Sequence, residues 1–157
     1  MAVIGSGRSE QDSELAQLAE EVGRRLAEAG VAVVCGGLGG VMEAAARGAA
    51  EAGGTAIGIL PGSSLDDANE HCTHAVATGI GYARNLAVVC SGEVVIAVGG
   101  EWGTLSEIGF ARAIDRPVVA LRSWTLKGEG AMESAPGIVP AATPEEAVEA
   151  ALEAVGA

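Results

Sequence analysis

Gly99-Gly100-Glu101-Trp102-Gly103-Thr104-Leu105-Ser106-Glu107 joins an apolar run at residues 93–98 to a segment with helical spacing at residues 104–114. A buried strand that ends on glycine and turns straight into a helix is a ligand-holding turn. Glycine lets backbone amides approach a phosphate without Cβ interference, and the helix start adds its free amides and positive dipole end. Gly103 and Thr104 are expected at that helix start, with the Thr104 hydroxyl free to cap it or to touch a phosphate. Glu107 follows one turn later. The Thr104–Glu107 spacing also fits a capping box, in which the two residues satisfy each other's backbone amides.

The same plan recurs on either side of this stretch. Residues 2–4 read as a short buried strand entering Gly5-Ser6-Gly7. Residues 31–34 are a second strand running into Gly36-Gly37-Leu38-Gly39-Gly40, and residues 55–60 a third, stopped by Pro61-Gly62. Residues 75–77 read as an edge strand, 117–121 as another buried strand and 138–140 as the last. Between them the spacing predicts helices at 13–29, 41–52 and 83–90. Leu15, Leu18, Ala19, Val22 and Leu26 share one face of the first, and Gly30 closes it. Thr143 as cap and Pro144 in the first turn open a final helix through residue 155. Residues 63–74 read as polar and turn-rich, and 127–137 as a flexible loop.

Short apolar strands alternating with helices define an α/β, Rossmann-like, doubly wound parallel sheet with helices on both faces. At 157 residues it is expected as one domain over 1–157. Such sheets bind ligands beyond the carboxyl ends of their strands, where this chain has placed its glycines. A strand beginning at residue 2 leaves almost no lead-in, so a few missing native residues are allowed for.

Composition narrows the function. Hydrophobic residues are 49% of the chain and aromatics 3%, so the core is built from Val, Ile, Leu and Ala. A net charge of -12 makes nucleic acid a poor partner, because phosphate neutralisation needs clustered Lys and Arg. Much of that acid, such as Glu145, Glu146, Glu149 and Glu153, is expected on solvated helix faces. No apolar stretch reaches the ~18 residues of a membrane span, and no signal peptide is read, which leaves a cytoplasmic protein as the expectation. Cys35 and Cys90 lie in apolar runs and read as buried thiols. His71-Cys72-Thr73-His74 lacks the second ligand pair of a closed zinc site, so no metal is assigned. No resident cofactor is assigned either. Ala-rich segments at 44–50 and 83–90 suggest a homodimer or higher homo-oligomer.

The glycine loops can be tested against known fingerprints. Gly5-Ser6-Gly7-Arg8-Ser9-Glu10 puts Glu10 in the third glycine place of G-x-G-x-x-G. The second strand ends on Val33-Val34-Cys35-Gly36, where a ribose-binding acid is expected. That argues against ordinary NAD binding. No G-x-x-x-x-G-K followed by Ser or Thr occurs, which excludes a P-loop NTPase. Arg84 and Glu107 remain as the chemistry-bearing pair. An Arg and a Glu facing one phosphate pocket can hold an anion and polarise or protonate a sugar-linked group.

In order and spacing, Gly5-Ser6-Gly7, Gly36 to Glu43 with Ile57 to Pro61, Ala83-Arg84-Asn85, and Gly99 to Glu107 resemble the Lonely-Guy (LOG) superfamily of Rossmann proteins. The resemblance covers nearly the whole chain. LOG enzymes release a base from a nucleoside 5'-monophosphate, using P-G-G-x-G-T-x-x-E and an upstream Arg-Lys pair. By position, Arg84 and Glu107 match the functional Arg and Glu. The resemblance places the nucleotide or phosphate on Gly5, Ser6, Gly7, Gly36, Gly37, Met42, Asn85, Gly99, Gly100, Gly103 and Thr104. Gly99 replaces the motif's Pro, Glu101 its second Gly and Asn85 the Lys. These departures look more like the branch that includes molybdenum cofactor carrier proteins, which bind a phosphorylated pterin without chemistry. The lysine decarboxylase label sometimes attached to the superfamily does not suit a chain whose single lysine, Lys127, lies in a glycine-rich loop.

Two expectations therefore stand together. One is a nucleoside 5'-monophosphate phosphoribohydrolase acting through Arg84 and Glu107. The other is a non-catalytic carrier of a phosphorylated pterin using the same pocket.

Overall fold

The computed structural model describes residues 1–10, 12–126 and 137–156. Its strands are β1 (Ala2–Gly5), β2 (Val33–Cys35), β3 (Ala56–Leu60), β4 (His74–Ala77), β5 (Val95–Val98), β6 (Val118–Leu121) and β7 (Ile138–Ala141). Its helices are α1 (Glu14–Glu28), α2 (Val41–Glu51), α3 (Arg84–Ser91), α4 (Trp102–Ala113) and α5 (Pro144–Val155). All strand pairs are parallel, in the order β4-β3-β2-β1-β5-β6-β7. The α/β doubly wound fold is the one expected.

Side chains alternate across each strand, so the two faces carry separate cores. Val3, Ile96 and Val98 pack with α1, α2 and α5 through Ala19, Val22, Ala45 and Ala151. Ala2, Ile4, Val95 and Ala97 pack with α3 and α4 through Val88, Val89 and Ile108. Both faces of β1 and β5 are covered, which is why these strands are apolar at every position rather than alternating with polar residues. Each fully buried Val or Leu contributes about 1.5–3 kcal/mol relative to exposure.

The α1–α2 contact is unusually close. A Cβ on Gly23 would overlap the Ala45 carbonyl oxygen, and one on Gly48 the Glu20 carbonyl oxygen. Two helix backbones touch there because neither carries a side chain at the crossing. This contact buries Ala44, Ala45, Ala46 and Ala49 within the chain. The Ala-rich face expected to serve self-association at 44–50 is thus spent internally.

Several boundaries differ for identifiable reasons. β2 starts at Val33 instead of residue 31, because the Val31 amide donates back to the Leu26 carbonyl and closes α1. The expected cap at Thr143 holds, its Oγ1 accepting from Glu146 N, and Ser13, read as the first residue of the first helix, is instead its cap, with Oγ accepting from Ala16 N. Cys35 is buried, but Cys90 is exposed, contrary to expectation. In α3 the buried positions are Arg84, Val88 and Val89, and Cys90 falls on the opposite side. Glu145, Glu146, Glu149 and Glu153 are exposed. The loop expected at 127–137 lies outside the described residues, Gly137 apart. Among the described residues no helix is long and apolar enough to cross a membrane, and no group of three or more His, Cys, Asp or Glu is placed to hold a metal ion.

Candidate functional site

Strand order reverses between β1 and β5, and a cavity of about 720 Å³ opens beyond their carboxyl ends. The β1 turn contributes Gly5, Ser6 and Gly7 to it. From the β2 turn and α2 come Gly36 and Met42, and from the start of α3 come Arg84 and Asn85. The start of α4 brings Gly103, Thr104 and Glu107. Residues spread over a hundred positions of sequence thus converge on one space.

Gly37, Gly99 and Gly100 do not line it. Gly37 turns toward β3, where a Cβ would meet Leu60 and Gly58, and Gly99 faces Leu15 of α1. Gly100 has φ 131°, a conformation that favours glycine, and a Cβ there would lie 2.6 Å from the Thr104 Cβ. These glycines shape the turns behind the site.

Arg84 is the centre of the cavity wall. It is only 7% exposed, yet its Nε has no hydrogen-bond partner. Its Nη2 reaches only the Met42 sulfur, at 3.9 Å. A buried guanidinium offers five donors in a fixed fork, and leaving one unpaired costs the desolvation of that group. Burial pulls the guanidinium below its usual range, while the charge of Glu107 opposes that shift. A guanidinium so placed has donors left over to pair with an anion.

Glu107 lies inside the same wall. It is 6% exposed, and burial raises its carboxyl to about 7, against an opposing pull from Arg84. Near neutral pH it can therefore either donate or accept a proton. The capping-box alternative fails on geometry. α4 begins at Trp102 with Glu101 as cap, two residues earlier than expected, so Thr104 sits inside the first turn and caps nothing. Because Leu105 N donates to Glu101 O, the amides of Trp102, Gly103 and Thr104 lack intrahelical acceptors. They belong to cavity-lining residues.

Glu101 adds a second carboxylate to the cavity lining. Ser6 Oγ donates to Glu101 Oε1 at 3.0 Å and accepts from the Arg8 amide at 3.1 Å. The hydroxyl thereby ties the β1 turn to the β5 turn and holds the carboxylate toward Ser6. Sequence reasoning missed Arg8, Tyr82 and Trp102 as wall residues. Trp102 occupied the variable place of the motif. Tyr82, the only tyrosine in the chain, stood beside Gly81 and was a usable signal.

Fold and cavity together define a parallel α/β protein with a cavity at the switch point of its sheet. The chain belongs to the SLOG cluster4 family, whose model matches residues 1–148. A protein of Archaeoglobus fulgidus described only as uncharacterized is 40% identical over 149 residues, spanning 94% of this chain and 91% of its own length. The molybdenum cofactor binding protein of the phototrophic bacterium Rippkaea orientalis has a similar structure, with TM-score 0.87, 32% identity and coverage of 99% and 96% of the two chains. The molybdenum cofactor carrier protein of Chlamydomonas reinhardtii superposes with TM-score 0.84 at 29% identity, covering 99% of this chain and 97% of that one.

Proposed function

We propose that residues 1–157 form one domain that binds and carries a phosphorylated pterin-type cofactor of the molybdenum cofactor class. The observation that carries this reading is the buried Arg84 guanidinium, with its unpartnered Nε, in the wall of a cavity of about 720 Å³. In the proposed complex the phosphate lies against Arg84 and the free amides of Trp102, Gly103 and Thr104. The turns at Gly5 and Gly36 line the same cavity, and Asn85 adds a neutral donor where the LOG motif has a lysine. The likeness to two molybdenum cofactor proteins over 99% of the chain supports this cargo. The test is mass spectrometry of small molecules released from protein purified natively without oxygen. A phosphorylated pterin or its oxidised degradation product supports the proposal, and a stoichiometric nucleotide overturns it.

One observation favours a second reading. Glu107, with its carboxyl at about 7, can protonate a departing base, as in a nucleoside 5'-monophosphate phosphoribohydrolase. Catalytic release of adenine from AMP, lost in Glu107→Gln, supports that reading over the carrier.

A further inference from the structure

We propose that Trp102 and Tyr82 form an aromatic seat at the cavity mouth, and that the flat ring system of the ligand stacks on Trp102. The inference rests on the reading that this cavity takes a phosphorylated ligand, and it assigns the part of that ligand beyond the phosphate.

The chain contains four aromatic side chains: two Trp, one Tyr and one Phe. Tyr82 and Trp102 both line the cavity, and Trp124 packs on Trp102 with ring centroids 5.5 Å apart. Two of the four thus line one cavity, and a third, Trp124, stacks on Trp102 while resting against the core. Tyr82 is 93% exposed and Trp102 77% exposed. Rings of this size ordinarily bury most of their surface, so two left in solvent at one cavity mouth are surfaces without their partner.

Trp102 is held ready for that partner. It is the first residue of α4, and the Glu101 carbonyl just before it accepts from both Leu105 N and Trp124 Nε1. Trp124 therefore braces the backbone that carries Trp102 as well as its ring, at an interplanar angle of 35°. Tyr82 lies on the short turn Gly81–Ala83, which follows the edge strand β4 and leads into α3 on the same face of the sheet as α4. Between the two aromatic residues, in strand order, lie the ends of β3, β2 and β1. A ligand anchored by phosphate at Arg84 and the α4 amides has its remaining bulk at this mouth. A fused, electron-poor nitrogen heterocycle gains dispersion and π-stacking on an indole face, and an open sugar phosphate gains neither.

The experiment titrates three probes into the full chain: a pterin monophosphate, the same pterin without phosphate, and ribose 5-phosphate. Wild type is expected to bind the pterin monophosphate at least about fivefold more tightly than ribose 5-phosphate, the lower range of one stacking contact. Trp102→Leu should erase that margin and Trp102→Phe keep most of it, both with unchanged melting temperature because the ring is exposed. In Trp124→Phe the remaining tryptophan is Trp102, whose emission should be quenched by the pterin monophosphate. Unchanged pterin monophosphate affinity in Trp102→Leu, or unchanged emission in Trp124→Phe, overturns the seat. So does an oligomer that dissociates in Trp102→Leu with that affinity intact, which assigns the rings to a protein interface. If the unphosphorylated pterin binds wild type as tightly as the phosphate and loses affinity in Trp102→Leu, the seat stands and the phosphorylated-ligand reading falls.

Discussion

The guanidinium of Arg84 occupies the space that a side chain at Gly36 would fill: a Cβ there would overlap Nη1 and lie 2.6 Å from Cζ. The glycine at the end of β2 thus admits a buried cation to the cavity wall. Gly36→Ala should displace the end of Arg84, a flexible chain, at little cost to the fold. Its expected result is at least about tenfold weaker binding of phosphorylated ligands, the worth of one charge-assisted contact, with stability lowered by less than about 1 kcal/mol. Calorimetric titration beside thermal melting separates the two, and unaltered affinity in a well-folded variant contradicts the placement.

Glu107 makes stability depend on pH in a defined direction. Its carboxyl rises from 4.5 to about 7 on folding because burial disfavours the charge. The native state then holds a proton that the unfolded chain has released. The stabilisation is fully present below pH 4.5 and is lost as pH rises through about 7, to the extent of roughly 3 kcal/mol. Glu107→Gln lacks this titration. Denaturant melts at pH 5 and pH 8 should show wild type losing stability relative to Glu107→Gln as pH rises. A constant difference between them means that Glu107 ionises normally.

The Ser6–Glu101 hydrogen bond keeps a carboxylate in the cavity wall, where its charge opposes any anionic ligand. Glu101→Gln preserves an acceptor for Ser6 and removes the charge. Affinity for a phosphorylated ligand should rise about two- to fivefold, and the gain should shrink in high salt. Weaker binding in Glu101→Gln shows instead that the carboxylate contacts the ligand, for instance at ring nitrogens.

The homo-oligomer expected from the Ala-rich segments is more simply sought on α3, since Ala44, Ala45, Ala46 and Ala49 of α2 are buried within the chain. Leu86 of α3 and Phe110 of α4 are each 41% exposed, on helices that pack against each other. Light scattering at micromolar concentration is expected to give a dimer or larger mass for wild type and a reduced mass for the Leu86→Glu, Phe110→Glu double variant. A wild-type monomer ends this expectation.

The fold was legible because its signals are local. Apolar runs such as Val95 to Val98, stopped by glycine and followed by helical spacing, identify a parallel sheet without knowledge of strand order, although Val118 to Leu121 runs on into Arg122 without either signal. Strand direction alone gathers the glycine turns at one sheet edge, whereas the choice of Arg84 and Glu107 also needed the resemblance to the LOG motifs; Gly5, Gly36, Arg84 and Glu107 line one cavity. The start of α4 was misplaced because Glu101 supplies no side-chain cap, so the sequence carries no cap signal two residues before Gly103. The division of glycines into lining and supporting was also invisible. Gly36 and Gly37 are adjacent and identical, and only the turn geometry sends one toward Arg84 and the other toward Leu60. Cys90 misled because a short apolar run does not say which of its residues faces out.

The buried Arg84 guanidinium is proposed to hold the phosphate of a pterin-type ligand. Calorimetric titration of a pterin monophosphate and its unphosphorylated pterin into wild type and Arg84→Ala tests it most directly. Arg84→Ala should weaken the phosphorylated compound by about tenfold or more and leave the unphosphorylated one within about twofold. Equal affinity of wild type and Arg84→Ala for the pterin monophosphate would contradict that role.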